Sequence, residues 1–133
     1  MTTRREIVLA GVGSSLLAAA PAVRAQATTW PEMPVKIIVP FTAGNAADIL
    51  TRMVADRLQA RLGQTFVVEN RTGAGGMIGM EAVRSAKPDG YTIASATIGT
   101  LSLNQYLYKK LPHNPETDFM PATLHWENCN TFM

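Results

Sequence analysis

The sequence predicts an α/β fold, a parallel sheet flanked by helices. Three observations lead there. Short runs rich in β-branched residues alternate with segments whose apolar residues recur at helical steps. Breakers such as Pro40, Gly63 and Lys87-Pro88-Asp89-Gly90 mark where one period gives way to the other. Each predicted strand also runs into a loop of Gly, Ala, Thr and Asn, as expected where parallel strands end and a chain must turn into a helix.

The chain has 133 residues. Arg4 and Arg5, then the mostly apolar run Ile7–Ala20, then the small residues Ala22, Ala25 and Ala27 follow the order of a secretory signal peptide. The run is shorter than the roughly 20 apolar residues a spanning helix needs. Residues 1–25 are therefore expected to be a leader, and the mature chain to start near Gln26. The paired arginines leave both the general and the twin-arginine export routes open.

After the leader, Val35–Val39 reads as a buried strand ended by Pro40. Phe41–Ala47 is a small-residue loop. Asp48 is expected as the cap or first-turn acid of a helix over Ile49–Leu62, with Ile49, Leu50, Met53, Val54, Leu58 and Leu62 forming its apolar stripe and Gly63 ending it. Thr65–Glu69 is the second strand, and Asn70–Gly76 a glycine-rich loop. Met77–Ala86 is the second helix, with Ile78, Ala82 and Val83 inward. Tyr91–Ala96 is the third strand, Thr97–Thr100 its loop, and Leu101–Leu111 a third helix giving way to loop near Pro112.

In open α/β sheets ligands sit beyond the C-terminal ends of the strands. The three loops leaving those ends, Phe41–Ala47, Asn70–Gly76 and Thr97–Thr100, are built of residues that let backbone N–H groups approach a guest. Two of them lead into helix starts, which favour anions. An acidic small molecule follows as the expected ligand.

Other chemistries find little support. Arg4, Arg5, Arg24 and Glu6 belong to the leader, which leaves nine basic and nine acidic residues, so no basic face for nucleic acid is expected. Gly73-Ala74-Gly75-Gly76-Met77-Ile78 lacks the third glycine of a dinucleotide fingerprint, and no Lys-Ser/Thr follows it. No cofactor is expected. His113, His125 and Cys129 match no zinc spacing, and the histidines read as solvated loop residues, so no metal is expected either. Cys129 stands alone and forms no intrachain disulfide. No nucleophile elbow or Ser-His set is evident, so a small secreted α/β enzyme is the weaker alternative.

Several stretches resemble the solute-binding receptors of tripartite tricarboxylate transporters, the Bug-type receptors. They are Pro34-Val35-Lys36-Ile37-Ile38-Val39-Pro40-Phe41, Gly44 with Asp48, and Arg61-Leu62-Gly63-Gln64. The series continues with Val68-Glu69-Asn70-Arg71-Thr72-Gly73-Ala74-Gly75-Gly76, Pro88-Asp89-Gly90-Tyr91, Gly99-Thr100 with Asn104, Leu107-Tyr108-Lys109-Lys110-Leu111-Pro112, and Asp118-Phe119. The resemblance covers residues 30–124 in order. It implies a two-lobe periplasmic binding protein that closes on a small carboxylate, performs no catalysis and delivers its solute to membrane transporter subunits, acting as a monomer. Residues 26–124 would be part of the N-terminal lobe. Phe41, Ala43, Gly44, Asn45, Ala46 and Asp48 would line the carboxylate, with Gly75, Gly76, Thr97, Gly99 and Thr100 as the neighbouring wall.

Three departures stand out. Gly44-Asn45 replaces a glycine pair, where Asn would have to tolerate a positive φ. Thr72 stands in a proline position. Residues 125–133 continue neither strand nor helix and read as an anomalous tail, so a truncated, non-functional product is the other alternative. For residues 26–133 alone, no measurable carboxylate affinity is expected; tight, stoichiometric binding of a small acid in calorimetry would contradict this.

Overall fold

A computed structural model describes residues 30–127. The expected leader (residues 1–25), the last part of the tail and Cys129 lie outside the described residues.

The elements run β1 (Val35–Val39), α1 (Ala46–Leu62), β2 (Phe66–Asn70), a 3₁₀ turn (Ala74–Gly76), α2 (Met77–Arg84), β3 (Thr92–Ala94), a π-type turn (Gly99–Leu103) and α3 (Asn104–Leu107). The sheet is parallel with strand order β2-β1-β3, as expected of an α/β unit, and β1 lies in the middle. Ile37 pairs with Val68 on one side and Ile93 on the other.

The central position explains the composition of β1. Val35, Ile37, Ile38 and Val39 are all buried, because helices cover both faces of the strand. Val35 and Ile37 form one core with Phe66 and with Ala55 of α1, and Leu58, Val68, Tyr91 and Ile93 pack around it. Burying each large aliphatic side chain contributes roughly 1.5–3 kcal/mol. Alternation sends Ile38 to the opposite face, and α2 packs on β1 and β3 with Gly79 and Met80 buried. At the N-terminal ends of the strands, Trp30 closes the layer edge-on to Phe66 and tilted against Tyr91. The opposite end stays open for the loops.

The structure corrects several sequence expectations. The first helix begins at Ala46, three residues early, and only part of its apolar stripe faces the sheet: Leu58 packs on the core and Leu50 and Val54 are partly buried. Ile49, Met53 and Leu62 are exposed, whereas Ala47, Asp48, Thr51 and Ala55 are buried. Small residues on that row let the helix lie close on the sheet, which the larger side chains would prevent. In α2, Ile78 is exposed; Gly79 is buried in close approach to Pro40 and Arg71, and Met80 is buried beside it. The third helix is not continuous. It winds wide over Gly99–Leu103, makes one α turn and stops where Tyr108 turns extended (φ −112°, ψ 131°). β2 is shifted one residue later and β3 is shorter than expected.

Candidate functional site at the strand ends

The first loop is fixed by a reciprocal cap. Asn45 is the N-cap of α1, with its Oδ1 accepting from the Asp48 N–H at 2.9 Å. Asp48 answers by accepting from the Gly44 N–H at 2.8 Å. This arrangement is close to a capping box, reaching one residue further back. Asn45 holds an extended conformation (φ −80°, ψ 171°), so it meets no positive-φ demand; Gly44 takes that conformation instead (φ +83°).

The Asp48 carboxylate is buried and fully engaged. Its Oδ1 also accepts from Arg52 Nε at 3.1 Å and Asn70 Nδ2 at 3.0 Å. The Arg52 guanidinium, the Gly44 amide and the Asn70 amide together hold its pKa down from 3.8 to about 2. Asn70 also donates to the Phe41 carbonyl at 3.1 Å and accepts from Arg52 at 2.9 Å. The end of β2 thus braces the loop that leaves β1.

This cap leaves two helix amides free. The Asp48 N–H is taken by Asn45 Oδ1 and the Ile49 N–H by the Asn45 carbonyl. Among the described residues, the N–H groups of Ala46 and Ala47 have no partner, as the first positions of a helix dictate. Both residues border a solvent-open hollow of about 360 Å³. Phe41 and Asn45 complete the first-loop side, Thr97 and Ile98 form the third-loop side, and Trp126 closes it. Two unspent amides at the positive end of a 17-residue helix favour a negatively charged guest.

Of the residues expected at the site, Phe41, Asn45, Ala46 and Thr97 border the hollow. Ala43 and Gly44 lie on the exposed outside of the first loop, and Asp48 sits behind it. Thr100 is buried, and its hydroxyl accepts from the Thr97 N–H and donates to the Thr97 carbonyl, each at 3.0 Å, which shapes the third loop from within. Gly99 lies in that turn, outside the lining. Gly75 is exposed and Gly76 buried, and both lie outside the lining. The Gly75 carbonyl accepts from Asn104 Nδ2 at 3.1 Å, and a Cβ on Gly76 would meet the Thr100 methyl at 2.6 Å. All three loops therefore meet at one end of the sheet, and the hollow itself lies between the first and third.

Ala47 and Ile98 fall within the two loops expected at the site, although not singled out there; Trp126 was missed by the sequence reading, as was the polar chain behind the hollow. Thr51 Oγ1 lies 2.6 Å from the Ala47 carbonyl and 2.8 Å from Ser95 Oγ, which in turn lies 3.2 Å from His125 Nε2. One Thr51 proton cannot serve two acceptors. With that proton on the Ala47 carbonyl, Ser95 donates to Thr51 and a His125 Nε2–H donates to Ser95. Burial holds the His125 imidazole below its ordinary pKa. The tail is thereby tied to the start of α1. A signal for Asn45 was available, since an Asn followed three residues later by an acid marks a helix start. No periodicity announces His125 or Trp126.

The reading of both histidines as solvated is corrected. His113 is buried edge-on to Phe119, with centroids 5.3 Å apart, and neither ring nitrogen has a hydrogen-bond partner among the described residues. Glu69 pairs with Arg71 at 2.6 Å and Lys36 at 3.2 Å, and these two cations lower its pKa. That cluster is a strand-end ion pair away from the hollow.

Comparison with known proteins identifies the family. The profile of the TctC family, described as tripartite tricarboxylate transporter family receptor, matches residues 50–125. A UPF0065 protein of Bordetella bronchiseptica is 43% identical over 98 residues, covering 74% of this chain and 29% of that protein. Protein BugT of Bordetella pertussis is 36% identical over 118 residues, covering 88% and 36% respectively. The chain thus spans about a third of the length of the curated relatives it matches. Among solved structures, the malate-bound MatC of Rhodopseudomonas palustris superposes with a TM-score of 0.69 at 35% identity, over 71% of this chain and 32% of that one. An adipate-bound R. palustris protein gives 0.64 at 39% identity, over 66% and 29%.

Proposed function

Because the chain belongs to the tripartite tricarboxylate transporter receptor family, we propose that it is the N-terminal part of a periplasmic receptor for a small carboxylate. The observation that carries this reading is the pair of unspent amides of Ala46 and Ala47, two residues that border a hollow where two strand-end loops meet. A carboxylate there accepts both N–H groups at the positive end of α1, without a charged side chain on the wall. The malate and adipate named for the two structural relatives are ligands of this class.

The mechanism is capture followed by closure. Asp48 and Asn70 hold the first loop in its receiving shape before the solute arrives, so little ordering is left to do on binding. A second lobe, as in the longer relatives, would close over the bound acid, and the closed form would be handed to the membrane subunits. No covalent step is involved. Residues 1–25 serve as the export leader, and the receptor works as a monomer.

The sequence alone led to an expectation of no measurable affinity; the free amides at the start of α1 revise this to weak binding by the single wall, with a Kd of about 1 mM. Isotope-labelled mature chain titrated with malate, adipate and acetate at constant ionic strength tests this by NMR. The Ala46 and Ala47 amides are expected to move with saturating, shared behaviour, and the uncharged diamides of the same acids to leave them still. Shifts confined to other amides, or none at all, would refute the reading.

A further inference from the structure

The walls of the hollow say more than that its guest is acidic. No charged side chain borders it among the described residues. The nearby guanidinium of Arg52 is already divided between Asp48 and Asn70. A second carboxylate would meet no counter-charge on these walls and would gain nothing by leaving the water of the open hollow. Apart from the neutral side chains of Asn45 and Thr97, the remaining wall is apolar: Phe41 on the first loop, the exposed Ile98 on the third, and the half-buried indole of Trp126. An exposed isoleucine beside two aromatic rings is a surface that gains by being covered with a flat apolar body.

We infer that the solute is a monocarboxylic acid with a flat apolar body, and that Trp126 is the residue selecting it by stacking. The inference rests on the carboxylate-capture reading above. The carboxylate takes the Ala46 and Ala47 amides, and the body lies along Trp126 towards Phe41 and Ile98. His125 is a positioning residue: its bond to Ser95, and through Thr51 to the Ala47 carbonyl, places the neighbouring indole over the same helix start that supplies the amides. Selectivity arises from the segment where this chain departs most from the family pattern.

The test uses benzoate, cyclohexanecarboxylate, acetate and succinate as probes on the mature chain, followed by NMR. Benzoate should bind about five- to ten-fold more tightly than acetate, with cyclohexanecarboxylate between them and succinate no tighter than acetate. Benzoate should also impose ring-current shifts on the Trp126 indole and leave Trp30, at the far end of the sheet, unmoved. Trp126→Ala should bring benzoate to within about two-fold of acetate. The ring-current readout needs no substitution, so it decides the matter even where the variant fails to fold. Equal binding of benzoate and acetate with a still Trp126 indole overturns this inference and leaves carboxylate capture intact, as does tightest binding of succinate. Failure of every acid to move the Ala46 and Ala47 amides overturns the capture reading and this one with it.

Discussion

Replacing Gly79 by alanine sets two known effects against each other at a position that supports the site. Gly79 lies inside α2, where alanine is intrinsically favoured by about 1 kcal/mol. Its added Cβ would lie 2.8 Å from the Arg71 carbonyl, 2.8 Å from Pro40 Cβ and 2.9 Å from Pro40 Cα. Two of these atoms are backbone, and Arg71 is itself held to Val39 by a 2.9 Å hydrogen bond that extends the sheet. Neither neighbour is the free end of a flexible chain. Overpacking costs about 1–3 kcal/mol, and contacts this short against fixed backbone belong at the upper end. Subtracting the gain in helix propensity leaves a net loss of about 1–2 kcal/mol, so Gly79→Ala should lower the melting temperature by about 4–8 °C per kcal/mol in a domain of this size. The assay is thermal and urea unfolding of the mature chain, with Ala60→Gly on the exposed face of α1 as a calibration of propensity alone, expected to cost about 1 kcal/mol. A Gly79→Ala chain as stable as the parent, or more so, would refute the argument, since α2 would then lie loosely on Pro40 rather than fix where the first loop departs.

Two further predictions concern titration and burial. Because Asp48 is held at about 2, below its ordinary 3.8, its ion-pair and amide contacts stabilise the fold above about pH 4, and that contribution disappears as pH falls towards 2. Asp48→Asn should therefore melt well below the parent at neutral pH and converge on it near pH 2; a gap in melting temperature that stays constant with pH would contradict this. His113→Phe removes two sealed, unpartnered nitrogens while keeping the edge-on contact with Phe119, and should raise stability by about 1 kcal/mol in urea unfolding, whereas a loss would mean that the imidazole is satisfied in solution.

The layout was readable from the sequence because its signals are local. Val35–Val39 between prolines, Gly63 after a helical period and Pro88-Asp89-Gly90 before Tyr91 each constrain only their own neighbourhood, and together they impose alternation. Facing directions were less legible. On α1 the eye follows Ile49 and Met53, yet proximity to the sheet selects Ala47, Thr51 and Ala55, and that choice is made by tertiary distance. The third helix fails as a prediction because a π-type turn and an early exit at Tyr108 leave no trace in apolar spacing. At the site, the Asn45–Asp48 cap was within reach of sequence reasoning. The Ser95–His125 link joins positions 30 residues apart, so only the folded chain reveals it.

The central place of β1 also governs how the chain can assemble. The first strand made is the one every other strand needs, and its partners arrive late: Ile37 waits 31 residues for Val68 and 56 for Ile93. A nascent polypeptide therefore carries an unshielded Val-Lys-Ile-Ile-Val stretch until nearly all of the sheet has left the ribosome. Non-local pairing of this kind slows folding. Under the export proposed above, taken by the general route, such slowness would widen the interval in which an unfolded chain can be threaded across the membrane.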